Sequence, residues 1–127
     1  MKLNHDCVRE LLLEIEAFQE FDEEQEYRIL SIEMLPTSLT PNKFSKNEVI
    51  YSTLKLKEAG FINASYLEAD GGIYDVCYSG LTYAGHDYLD SIRSKEVWSK
   101  VKTSIVKNGG SLAFAVIQQL AIKVLLG

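Results

Sequence analysis

Apolar residues recur at helical spacing near the start of the chain. Val8, Leu11, Leu12, Ile15 and Phe18 are separated by Arg9, Glu10, Glu14 and Glu16. This period predicts an amphipathic helix over about residues 4–20, with one face on a core. Over residues 27–34 the pattern changes to alternation: Tyr27, Ile29 and Ser31 interleave with Arg28, Leu30, Ile32 and Met34, as expected of a short paired strand. Pro36 and Pro41 bracket TSLT and predict a loop with room for at most one helical turn. Ser45 to Glu48 matches the S-x-x-E capping box, so a helix begins there. Its projection puts Val49, Ile50, Thr53, Leu54 and Leu56 inward and Asn47, Glu48, Tyr51, Ser52, Lys55 and Glu58 outward. Gly60 supplies the stop, since glycine tolerates the left-handed residue that ends many helices.

The stretch FINASYLEADGGIYDVCYSG carries aromatic and β-branched residues on both sides of Asp70, Gly71 and Gly72, which predicts a β-hairpin. Beyond Gly80, a helix is expected with Leu81, Ala84, Tyr88, Leu89 and Ile92 on one side and Gly85 at a close backbone approach. A further helix carries Val97, Trp98, Val101 and Ile105. After Asn108, Gly109 and Gly110, Ser111 is expected to cap a last helix of about 16 residues that is apolar nearly all round. The fold class is therefore α+β. The order helix, strand, helix, β-hairpin, helix is that of a winged-helix-like domain, with two additional C-terminal helices. We read residues 1–127 as a single domain, with a winged-helix-like core over 1–93 and a C-terminal helical extension over 94–127.

Composition narrows the function classes. The chain has 127 residues, 46% of them hydrophobic and 24% charged, enough to bury a core without a metal or disulfide. Its net charge of −5 argues against a surface that is electropositive throughout. The acidity is concentrated: residues 1–34 hold ten acids, including Glu20, Asp22, Glu23, Glu24 and Glu26, against Lys2, Arg9 and Arg28. That run reads as a solvated loop. Residues 61–92 contain no Lys or Arg, whereas positive charge collects over residues 43–57 and 93–107. Two cysteines and a polar start, MKLNHDCVRE, lead us to expect a cytoplasmic protein with neither a disulfide framework nor a signal peptide.

Taken together, the segments resemble the domain of unknown function 2513 family, short bacterial and phage-associated proteins. The resemblance rests on DCVRELLLEIE, on YSTLKLKEAGFINA, on the LT-x-x-GH-x-x-LD-x-IR and VW-x-KVK patterns at residues 81–93 and 97–102, and on GGSLAFAVIQQLAIKVLLG. It implies a winged-helix-like fold and a mobile-element origin, and it brings no activity and no catalytic residues. Where family members carry a histidine before the Leu-rich end of the second helix, this chain has Ser52 or Thr53.

Candidate chemistry is sparse. His5, Asp6 and Cys7, with Cys77 and His86, include ligand and nucleophile types, but none stands in a paired metal-ligand spacing. We expect a partly exposed His5, a core Cys77 and a His86 packed against the hairpin. Asp87, Asp90 and Arg93 read as a surface charge ladder. No catalytic or metal-binding residue, cofactor, small-molecule ligand or membrane contact is expected, and we read the chain as non-enzymatic. The candidate DNA-binding face is Lys43, Lys46, Asn47, Tyr51, Ser52 and Lys55, types that reach bases and phosphates. Against it stand Glu48, Glu58 and the acidic hairpin tip at Glu68 and Asp70. The last helix offers Phe114, Ile117, Leu120, Val124 and Leu125 as a candidate homodimer interface; it is short for a membrane span, which needs about 20 residues. Two functions follow: a regulatory or accessory protein that binds DNA, or a protein–protein interaction module with an acidic surface.

Overall fold

The computed structural model describes residues 1–19, 24 and 28–127, so most of the acidic run and Tyr27 lie outside the described residues. Helix α1, His5–Phe18, is capped by Asn4, whose side chain accepts from the Cys7 amide. Its apolar stripe, Cys7, Val8, Leu11, Leu12 and Ile15, is buried throughout. The fold is α+β: the described residues form five helices around a three-stranded antiparallel sheet of order β1-β3-β2, and the elements follow the expected order.

The first strand is much shorter than its alternation predicts. Among the described residues 28–34, only Leu30–Ser31 (β1) pairs, with Tyr78 and Cys77. Ser31 then accepts from the Glu33 amide and turns the chain into a 3-10 turn, Ile32–Met34. Ile32 and Leu35 are consequently both buried, three residues apart, and Leu39 and Phe44 follow them into the core. The loop between the prolines is thus a packed series of turns, closed by the Phe44 amide on the Leu39 carbonyl at 2.8 Å.

Helix α2, Lys46–Glu58, starts on the expected capping box: Ser45 Oγ accepts from the Glu48 amide and the Glu48 carboxylate from the Ser45 amide, both at 3.1 Å. Strands β2, Ile62–Ala69, and β3, Gly72–Leu81, form the hairpin. Asp70 and Gly71 both have positive φ, 51° and 78°, the signature of a two-residue type I′ turn. β3 is longer than β2, and two register shifts accommodate the difference. Tyr78 is buried, and its hydroxyl lies 2.7 Å from that of Thr53 on α2. Because Thr53 donates its single proton to the Val49 carbonyl, the Tyr78 hydroxyl is the donor in this pair.

Helix α3, Tyr83–Ile92, is capped by Thr82. Gly85 is buried against the chain before β2; a Cβ there would stand 2.0 Å from the Phe61 carbonyl oxygen. Ala84, expected inside, is exposed, and Leu81 reaches the core from β3. Helix α4, Lys95–Lys107, buries Val97, Trp98, Val101 and Ile105 as its period requires. Helix α5, Phe114–Leu126, begins after Ala113 with no side-chain cap, so Ser111 does not serve as one. It docks on α3 through Gln118, which donates to Asp87 and Ser91. Phe114 enters an aromatic cluster with His5, Phe61 and Tyr88, centroids 5.2–5.8 Å from its ring.

Candidate interaction surfaces

The face of α2 is less cationic than its sequence suggests. Lys43 pairs with Glu10 of α1 at 2.8 Å, Lys46 with Glu33 at 2.9 Å and Lys55 with Glu58 at 3.0 Å. Glu48 also accepts from Asn4 at 2.8 Å, and that bond, with the Ser45 amide, holds its carboxyl below the usual carboxylate range. Asn47 is exposed and Tyr51 half-buried beneath Lys55. Ser52 leaves the candidate set: it is fully buried where α2 packs on α1, beside Cys7. The inward arc of α2 is wider than the apolar residues alone mark, because a small serine lets the helices approach. The hairpin tip, with Glu68 and Asp70 exposed, adds no positive charge.

The reactive-type residues are scattered. Burial pushes the Cys7 thiol up to about 11, against the pull of the Ser52 hydroxyl, which leaves it protonated and inert at neutral pH. Cys77 is half-buried in β3 rather than in the core. His5 is buried, not partly exposed: only 6% of its surface is accessible. His86 faces Glu16 of α1, Nδ1 to Oε2 3.4 Å, instead of the hairpin. Among the described residues no three His, Cys, Asp or Glu come together as a metal site. Asp90 and Arg93 do pair, at 2.7 Å, and Arg93 also grips Glu16 with two bonds of 2.6 and 2.7 Å. Its guanidinium therefore ties α3 to α1, a long-range role that local spacing could not show.

The last helix divides its apolar residues. Ile117 is fully buried in the fold and so is no part of an exposed interface, and Phe114, Leu120 and Val124 are half-buried against the core. Of the five candidates only Leu125 is exposed, at 53%. Val116, Ile122 and Leu126, absent from that set, are exposed as well. Val116, Ile122 and Leu126 line a shallow groove of about 370 Å³ with Leu120, Gln119 and Lys123. No described helix is long and apolar enough to cross a membrane.

These features define a small mixed α+β protein, a β-hairpin flanked by helices. The chain belongs to the family described as Hypothetical protein (DUF2513), whose model matches residues 2–111. It is 31% identical over 121 residues to an uncharacterized protein of Haemophilus influenzae, covering 95% of this chain and 92% of that one. No solved structure matches it.

Proposed function

We propose that this protein is a winged-helix-like protein–protein interaction module, acting without catalysis, whose contact surface is the outer side of α5. The observation that carries this reading is the exposed apolar groove of Val116, Ile122 and Leu126 on a helix whose other side is buried at Ile117 and Ala121. Contiguous apolar surface of this kind marks association sites in soluble proteins. The paired lysines of α2 count against DNA on that face, because each phosphate contact there must first displace a carboxylate. A second copy of the chain is the simplest partner. Light scattering on the purified protein should show an oligomer that Ile122→Glu converts to a folded monomer. A wild-type monomer that captures no protein from the host would refute the reading.

DNA keeps one specific support. Lys95, Lys100 and Lys107 on α4 are exposed and form no ion pair among the described residues, so α4 rather than α2 is where a duplex would have to bind.

A further inference from the structure

Between α1, the turns before α2 and the first half of α4 runs an open groove of about 400 Å³, within the range of about 300–1,000 Å³ of small-molecule sites. Four cations wall it, Arg9, Lys43, Lys95 and Lys102, against two carboxylates, Asp6 and Glu10. The carboxylates are committed. Glu10 holds Lys43 at 2.8 Å, and Asp6 accepts from Lys102 at 3.1 Å and from the Trp98 indole at 2.8 Å. Two positive charges are left over. Arg9 is positioned by neutral acceptors alone, the carbonyls of Ile92 at 2.9 Å and Arg93 at 2.6 Å, so no carboxylate cancels its charge. The Lys95 side chain has no hydrogen bond or ion pair among the described residues. One turn further along α4, Ser99 brings an exposed hydroxyl to the same wall.

We propose that this groove binds a compact phosphate-class oxyanion, either inorganic phosphate or a phosphomonoester. Lys95 and Arg9 supply the uncancelled charge and Ser99 donates a hydrogen bond, the donor types that hold phosphate elsewhere. The ion pairs and the Arg9 contacts hold three of the four cations in place without a ligand, so the ordering that opposes binding falls mainly on Lys95. The flanking Asp6 and Glu10 select for a compact anion, because an extended polyanion lying along the groove would meet both carboxylates.

Trp98 is the only tryptophan in the chain and stands in the groove wall, so its emission reports on occupancy. The intact protein is titrated with sodium phosphate, with phosphoserine and with sodium chloride at matched ionic strength, following Trp98 emission and the amide resonances of residues 94–99. We expect a saturable response to phosphate or phosphoserine that chloride does not reproduce, weakened at least tenfold in Lys95→Glu and less in Lys95→Ala, with unchanged circular dichroism. The tighter of the two ligands identifies free phosphate or a phosphomonoester as the source. Equal responses to chloride, silence in both signals, or unchanged affinity in Lys95→Glu overturns the proposal. So does mixed-sequence duplex DNA that binds more tightly than either and is lost in the same variant, since the groove then serves a polyanion. The outer side of α5 takes no part in this test, so its outcome is independent of the association reading.

Discussion

Two buried tyrosines show how the same side chain takes opposite energetic roles. The Tyr78 hydroxyl donates to Thr53 in the core, whereas the Tyr88 hydroxyl is buried without a protein partner. A made hydrogen bond is worth about 1 kcal/mol net, and a buried hydroxyl without one is a cost of about 1–3 kcal/mol. Tyr78→Phe should therefore lower the unfolding free energy by about 1 kcal/mol or more, since Thr53 Oγ1 loses its donor. Tyr88→Phe should leave it unchanged or raise it; urea unfolding of the two variants checks the contrast. His5 sets a pH dependence. Burial lowers its pKa below the ordinary 6.5, outweighing the opposing pull of Asp6 and of the Leu112 backbone. The unfolded chain then takes up a proton at a pH where the folded chain resists it. Stability is complete above about pH 6.5 and falls as the pH drops from there to the folded pKa. Asp6 titrates lower: burial would raise its carboxyl, but Trp98 and Lys102 hold it below 3.8, so its loss belongs to a more acidic window. Denaturant unfolding at pH 7.5 and 5.5 should show the His5 slope, and His5→Phe should flatten it.

Among the elements, those governed by local chemistry match their sequence signals. The α2 capping box and the Asp70–Gly71 turn are where the pattern places them, because both are closed by atoms a few residues apart. The 27–34 strand fails for the same reason in reverse. Alternation marks a strand only if nothing local competes, and the Ser31 hydroxyl competes by accepting the Glu33 amide. Leu35, Leu39 and Phe44 carry no periodic signal as core residues, because the turns around Pro36 and Pro41 have no fixed period. Gly85 is a close approach, as its setting on an otherwise bulky helix face suggests. The Phe61 backbone leaves no room for a methyl group there, so Gly85→Ala should destabilise by about 2–3 kcal/mol or prevent α3 from docking. Thermal unfolding of that variant, beside a neutral Ala84→Ser control on the exposed side, measures the effect.

At the scale of the whole molecule, charge layout decides more than charge total. Lys43, Lys46 and Lys55 are drawn off by Glu10, Glu33 and Glu58, two of them far away in sequence, whereas Lys95, Lys100 and Lys107 line α4 with no carboxylate partner among the described residues. Fluorescence anisotropy with mixed-sequence duplex DNA should accordingly show weak binding that is lost at physiological salt. Strong binding abolished by Lys46→Glu with Lys55→Glu would restore the α2 face instead. The sequence alone determined the class of fold, the order of elements, the helix stripes, the hairpin turn and the family, since these rest on periodicity and on contacts within a few residues. Only tertiary structure decided that Ser52 and Ile117 are inside, that Arg93 joins two helices, which side of α5 stays bare, and that Arg9, Lys95 and Ser99 share a wall. Each of these depends on which surfaces meet across distant parts of the chain, and burial and ion pairing are properties of that meeting rather than of the residue types.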